Sequence, residues 1–425
     1  MSRRGSPPAG RDDRAGDPAG WGEWTRAVHL PEPPPVPQAS LSVPVHRASA
    51  YAFSSAREFA EVMADPALGY SYGRVDNPTA DAFAAAVAHL EGSGLPGGVA
   101  GQAFASGMAA VHGALLPFLR AGAKLVAPAS MYGTTLALFR SVLGRYGVRV
   151  ELVDIADAAA VASAVREGPG PPAAVLYAET LVNPTMTVAD LPALAGIASA
   201  AGALLVVDST FASPAVCRPL EHGADAVVHS ATKYLGGHSD ATGGVVVARP
   251  ELAARIRADR VLTGATLAPD EAFLLRRGLE TLPLRVDRAC ASARILAHAA
   301  ADHPRVRSVL HPSLRSHPGH LLAQRLFDRG LDGETRCGAC LTVIPHGGRD
   351  AGMAFCDRLR LAAVASSLGG TRTKVSHAAS TSHRELDAGQ LAAAGIDPGA
   401  VRFSVGLEDP GDIVADVLGA LDGLP

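Results

Sequence analysis

Short apolar runs alternate with helical stretches through the middle of the chain. From about residue 93 to 275 the strand candidates are Ala103-Phe-Ala, Lys124-Leu-Val-Ala-Pro, Arg149-Val-Glu-Leu-Val, Ala173-Ala-Val-Leu-Tyr-Ala, Ala203-Leu-Leu-Val-Val-Asp, Ala226-Val-Val-His and Gly244-Val-Val-Val. Between them, helical patterns open near Gly107, run from Thr135 to Tyr146, and run from Leu191 to Ala201. Such alternation predicts crossover units and a mainly parallel sheet. Ligands of such sheets gather at the carboxyl ends of the strands.

The flanks read differently. Residues 1–40 are rich in Pro, Gly, Arg and Asp, with Pro33-Pro34-Pro35, and cannot bury enough apolar surface, so a disordered tail is expected there. Residues 41–92 mix a short apolar run with Tyr51, Phe53, Tyr70 and Tyr72 and a helix near Asp81 to Leu90. A large domain is expected over 93–282. A helix from Pro269 through Arg276 resumes beyond Leu284, and a smaller α/β domain follows over 283–425, with Thr342-Val-Ile, Leu361-Ala-Ala-Val and Val401-Arg-Phe-Ser-Val as strands. Arg3-Arg4 is followed by no apolar segment, so no export signal is expected. The uncharged stretch Leu191 to Val207 contains Pro192, Gly196, Ser199 and Gly202, and reads as a helix plus a buried strand, not a membrane span.

Composition narrows the class. With 425 residues, 48% hydrophobic and 19% charged, the chain can build a large core, and a net charge of −3 points away from nucleic acid. The five cysteines are odd in number and irregular in spacing, which favours a reducing, cytoplasmic setting. Cys337-Gly-Ala-Cys340 lacks a second pair and reads as small residues at a strand start. Only three lysines occur, Lys124, Lys233 and Lys374, so chemistry that needs a primary amine has three candidates.

Lys124 lies between a turn and a strand and is expected to be a solvated edge residue. Lys374 lies in a polar stretch. Lys233, in Val228-His-Ser-Ala-Thr-Lys-Tyr-Leu-Gly-Gly-His-Ser-Asp, directly follows a strand. Ser230 and Thr232 flank it with hydroxyls suited to a phosphate. Desolvation there would depress its pKa, as a lysine forming a Schiff base needs. Asp208 ends the preceding strand, where a carboxylate can pair with a protonated pyridine nitrogen or simply cap a helix. Ser106-Gly107-Met108 opens a helix, either as a phosphate site or as a plain cap. Tyr132 could lay its ring on a cofactor or be an ordinary buried tyrosine.

Together these stretches resemble the Cys/Met-metabolism family of pyridoxal-phosphate enzymes, from about residue 43 to 420. The resemblance rests on Tyr72-Gly-Arg74-Val-Asp-Asn77-Pro-Thr, Ser106-Gly-Met-Ala-Ala, Tyr132-Gly-Thr-Thr, Glu179-Thr-Leu-Val-Asn183-Pro, Val207-Asp208-Ser-Thr-Phe, His229-Ser-Ala-Thr-Lys-Tyr-Leu-Gly-Gly-His, Arg277-Gly-Leu-Glu-Thr-Leu, Ser367-Leu-Gly-Gly and Val401-Arg-Phe-Ser-Val-Gly-Leu-Glu. It implies the fold type I, aspartate-aminotransferase-like architecture: a large domain with a mainly parallel seven-stranded sheet and a smaller C-terminal α/β domain. It implies pyridoxal 5'-phosphate as cofactor, with Lys233 as its Schiff-base partner and proton shuttle. Asp208 would hold the pyridine nitrogen, and Tyr132 would stack on the ring and assist at the leaving group. Gly107, Met108, Ser230 and Thr232 would bind the phosphate, and Asn183 would touch the phenolic oxygen. Ser367 and Arg402 would bind the substrate carboxylate, a role the planar fork of an arginine suits on its own account. Tyr72 and Arg74 would reach the phosphate of a neighbouring subunit, so residues 41–92 would form an arm in a dimer, usually paired into a homotetramer.

The implied reaction is γ-elimination or γ-replacement on a sulfur-containing or O-activated homoserine-type amino acid, through a vinylglycine-type species, as in a carbon-sulfur lyase or a γ-substituting transferase. β-Elimination is the alternative within enzymes, and a cofactor-binding protein without turnover is the alternative outside them. Loss of the lysine or of the carboxylate-binding arginine would favour the latter, and both are present. No G-x-G-x-x-G follows the first strands, which argues against a nicotinamide site. Against the family pattern stand Thr134, where Cys or Gly is common, Ser209 in place of Asn, Arg372 in place of an acidic or apolar residue, and Ala378 in place of Pro. These departures suggest either that Arg372 or Lys374 faces the distal part of the substrate and favours a neutral or anionic group over an ammonium, or that the two are a solvated charge pair.

Overall fold

The structure is a computed structural model and describes residues 40–92, 94–167 and 170–424. The tail expected over 1–40 therefore lies, except for its last residue, outside the described residues.

Two sheets organise the chain. The larger has seven strands: β1 (Ala100–Phe104), β2 (Lys124–Pro128), β3 (Arg149–Val153), β4 (Ala173–Glu179), β5 (Leu204–Asp208), β6 (Ala226–Ser230) and β7 (Gly244–Ala248), in the order β1-β7-β6-β5-β4-β2-β3. The pairs β2–β3, β2–β4, β4–β5 and β5–β6 are parallel, and β7 runs antiparallel to both β6 and β1. Side chains alternate between the two faces of a strand, and both faces are apolar here. Leu176, Ala178, Leu205 and Val207 enter one core, and Val175, Tyr177, Val206 and Val228 enter the core on the other face. With both faces committed to packing, the polar groups that end β4, β5 and β6 are left at the carboxyl edge.

The smaller sheet comprises β8 (Val306–Leu310), β9 (Cys340–Pro345), β10 (Ala363–Val364), β11 (Lys374–His377) and β12 (Val401–Ser404), in the order β10-β11-β12-β9-β8. The helix Leu282–Ala301 joins it to the large sheet and packs Ala293, Leu296, Ala297 and Ala300 onto its core.

Several elements depart from expectation. The helix from Gly133 to Ala137 continues as a π-helical stretch, Leu138–Leu143, before ending at Tyr146. The strand expected at Leu361-Ala-Ala-Val shrinks to the exposed pair Ala363–Val364. Lys124 is not solvated. Its strand is interior, between β3 and β4, so the side chain is buried, and its Nζ donates to the carbonyls of Ala164 and Glu167, 2.5 Å away in each case. A buried ammonium needs such acceptors, and these carbonyls lie at the end of the helix Ala158–Arg166, where the dipole favours a cation.

The segment before the large sheet is tied down at its far end. Asp76 pairs with Arg257 and Arg260 of the helix Pro250–Thr263, and Asn77 donates to the carbonyl of His46 at 2.7 Å. The helix Ala56–Ala64, capped by Ser55, buries only Val62 and leaves Phe59 and Met63 exposed.

Candidate active site

β4, β5 and β6 end side by side, and their last residues begin the site. Glu179 stands opposite Asp208 in the register of β4 and β5. Asp208 accepts from the Thr210 backbone N–H at 2.9 Å and from the Tyr177 hydroxyl at 3.2 Å. Burial pushes the Asp208 carboxyl up, against the lowering effect of these donors. Burial and the facing Asp208 push Glu179 up from 4.5 to about 8. Glu179 accepts from the backbone N–H groups of Tyr132 (2.8 Å) and Asn183 (3.1 Å), so one carboxyl group sets the position of two neighbouring loops.

The amine stands beside this row. Lys233 follows β6 and donates from Nζ to Ser367 Oγ at 2.6 Å. Burial, reinforced by the charges of Arg402 and Lys374, brings its ammonium down from 10.5 to about 8. Ser367 holds φ +75°, a left-handed conformation that a serine rarely adopts. That turn aims its hydroxyl at Lys233 and its carbonyl at Arg402 Nη2, 3.1 Å away. Arg402 lies on β12, donates from Nη1 to Asn183 Oδ1 at 3.2 Å, and stands 5.8 Å from the ring centre of Phe211. Its Nε is buried without a partner in the protein, so the fork has a donor to spare for a bound carboxylate.

A helix N-terminus adjoins. The helix Gly107–Leu115 begins at the N-cap Ser106, whose hydroxyl accepts from Ala109 N–H at 3.1 Å. A Cβ on Gly107 would fall 2.5 Å from Cβ and 2.6 Å from Oγ of Ser230, so only glycine lets this N-terminus lie against the end of β6. Ser230 N–H donates to Thr210 Oγ1 at 2.8 Å, while Thr232 exchanges hydrogen bonds with Gly243. Met108 touches Thr135 through its sulfur at 3.8 Å. Tyr132 is 40% exposed, open to the space in front of the strands.

An amine with depressed basicity, a carboxylate at a strand end, and a helix N-terminus meeting the Ser230 hydroxyl make a donor set that fits pyridoxal 5'-phosphate: aldehyde, pyridine nitrogen and phosphate each find a complement.

Of the residues singled out in the sequence, Lys233, Ser367, Arg402, Asn183, Tyr132, Asp208, Gly107 and Ser230 are linked by contacts that run directly or through Glu179 and Thr210. Tyr72 and Arg74 are not joined to them. Arg74 donates to the Val261 carbonyl at 2.7 Å and sits 5.5 Å from the Tyr72 ring centre, and both line a cavity with Tyr51, Phe53 and Phe59. Arg372 is exposed, whereas Lys374 reaches inward. Cys337 and Cys340 are buried free thiols. Sequence reasoning gave no role to Glu179, Tyr177, Thr210 or His383, whose ring meets the Met131 carbonyl at 3.1 Å beneath Tyr132. A carboxylate ending β4 next to one ending β5 was the available signal for Glu179.

Comparison with known proteins points to the same cofactor. Residues 24–422 match the family described as Cys/Met metabolism PLP-dependent enzyme. The chain is 40% identical over 403 residues to an L-methionine gamma-lyase of Pseudomonas deceptionensis, covering 94% of this chain and 97% of that protein. It superposes with a TM-score of 0.82 and 35% identity on cystathionine gamma synthase from Xanthomonas oryzae pv. oryzae in complex with cystathionine, covering 90% of this chain and 93% of the other. It also superposes with a TM-score of 0.83 and 28% identity on an O-acetylhomoserine (thiol)-lyase of Campylobacter jejuni that carries a pyridoxyl-lysine phosphate, covering 90% and 96%. The chain therefore belongs to the Cys/Met-metabolism family of pyridoxal-phosphate-dependent enzymes.

Proposed function

We propose that the protein catalyses γ-elimination or γ-replacement on a sulfur-containing or O-activated homoserine-type amino acid. The observation that carries this reading is the row Lys233–Ser367–Arg402–Asn183, which sets an amine of lowered basicity one residue away from an arginine with a spare donor. Relatives named for γ-chemistry support the position of attack.

Each residue then has a task. Arg402 and Ser367 bind the α-carboxylate and so turn the α-hydrogen toward Lys233. The Lys233 amine removes that proton and returns it further along the chain. When bound, the cofactor acts as the electron sink for the carbon so deprotonated. Asp208 would hold the pyridine nitrogen in its protonated form, and Asn183 would serve the phenolic oxygen. Gly107, Met108, Ser230 and Thr232 would hold the phosphate. Tyr132 would pack on the ring and serve the leaving group.

In this reading, residues 41–92 are an arm that brings Tyr72 and Arg74 to the phosphate of a second copy, and two such dimers form a tetramer. The exposed Phe59, Met63 and Tyr72 are the apolar face this arm would bury. Residues 93–282 form the cofactor domain and 283–425 the smaller one. Among the described residues no helix is long and apolar enough to cross a membrane, and the five free cysteines favour the cytoplasm.

The test is product analysis of the cofactor-loaded enzyme with methionine, cystathionine and O-acylhomoserines. 2-Oxobutyrate, or a γ-substituted product when a thiol is added, supports the reading. Pyruvate would assign β-elimination instead.

A further inference from the structure

A second cation faces the site from the small sheet. In the antiparallel pairing of β11 and β12, Ser376 stands opposite Arg402 and Lys374 opposite Ser404. Residues two apart on a strand share a face, so Lys374 lies diagonal to Arg402 on the face turned toward Lys233. Its position is held from the other side. Nζ donates to Ser239 Oγ at 2.9 Å, and a Cβ on Gly370 would meet that oxygen at 2.6 Å and Lys374 Nζ at 3.3 Å. Ser239 takes φ +61°, in the left-handed region, to make this contact. Among the described residues no carboxylate lies within ion-pair distance of Lys374, although burial disfavours its charge. A half-buried ammonium held by a hydroxyl and left without a counter-ion is a site for an anion. Arg402 already serves the α-carboxylate in the proposed reaction.

We propose that Lys374 is a specificity-determining residue, whose ammonium binds a second carboxylate at the far end of the substrate side chain. The inference rests on the γ-substitution reading and refines it: the preferred substrates are homoserine esters or thioethers that end in an anion, not neutral ones such as methionine.

The test uses the cofactor-loaded enzyme with O-succinyl-L-homoserine and with its ω-methyl ester, which differ in charge but barely in size. A hydrogen-bonded contact to a charged group predicts a kcat/KM at least ~10-fold higher for the free acid. Lys374→Gln collapses that ratio toward unity, and Lys374→Arg restores most of it. A ratio within about 2-fold of unity in the wild type, a size below what even a neutral hydrogen bond contributes, overturns the inference. So does a wild-type ratio that survives Lys374→Gln. The two readings fail separately. Turnover of both esters without discrimination removes only the role of Lys374, whereas no γ-product from either ester or from methionine removes the parent reading.

Discussion

Lys233 Nζ donates to Ser367 Oγ at 2.6 Å, across the boundary between the large sheet and the small one. The serine that receives this bond is held at φ +75°, so its hydroxyl direction is set by the backbone. Ser367→Ala keeps the strained backbone and the carbonyl that Arg402 uses, and removes only the hydroxyl. We expect the KM for the amino-acid substrate to rise ~10- to 100-fold, as for one lost hydrogen bond to a charged group, with kcat changing less than KM. A large loss of kcat at unchanged KM would place the hydroxyl in the chemical step.

Arg402 makes two bonds that fix its fork, to Asn183 Oδ1 and to the Ser367 carbonyl. Arg402→Lys keeps the charge and loses the fork. The expected result is a rise in KM of ~10- to 100-fold, the cost of a lost bidentate pair, with the cofactor retained. Steady-state kinetics beside the cofactor absorbance separates the two effects. Loss of the absorbance would mean that Arg402 serves the cofactor.

The pH dependence of cofactor capture follows from Lys233. Burial first, then Arg402 and Lys374, lower its ammonium from 10.5 to about 8. The neutral amine reacts, so capture of pyridoxal phosphate by cofactor-free protein should accelerate with rising pH and level off above about 8. The folded value lies below the unfolded one, so the stability contribution of Lys233 is lost as pH falls through the window from 10.5 to about 8. Lys374→Gln removes one lowering charge and should move the midpoint upward. Stopped-flow absorbance across this range checks it, and a midpoint near that of free lysine would contradict the account.

Glu179 tests the scaffold. Its pKa is raised to about 8 by burial and by Asp208, so its contribution to stability is complete below 4.5 and is lost as pH rises through about 8. Glu179→Gln turns an amide N–H toward one of the two backbone donors that the carboxyl now accepts. The expected cost is ~1–3 kcal/mol near pH 6, the penalty for a buried unsatisfied donor, and it should shrink above pH 8. Unfolding of the cofactor-free wild type and variant at both pH values measures the difference. An equal cost at the two values would rule out titration of Glu179 as the source.

The alternation of apolar runs and helices was enough to read the parallel sheet, because strands buried on both faces leave an unbroken apolar signature. The ends of those strands were legible too: Asp208 stops an apolar run, and Lys233 follows the end of another by three residues. Around Lys124 the local sequence shows a turn and a charge, and only strand order reveals that β2 is interior and the side chain buried. Of the pair Arg372 and Lys374, burial decides: Lys374 lies on β11 and shares the face of Arg402, while Arg372 precedes that strand and is exposed. Tyr72 and Arg74 carry no contact with the site within one chain; they meet Val261 and each other instead.

The central claim is that Lys233 carries the cofactor, and a chain with only three lysines allows a direct measurement. Borohydride reduction of the cofactor-loaded protein, followed by peptide mass spectrometry, should find the phosphopyridoxyl group on Lys233 alone, and none after Lys233→Ala. A group found on Lys124 or Lys374 instead, or an undiminished label in the variant, would contradict the account.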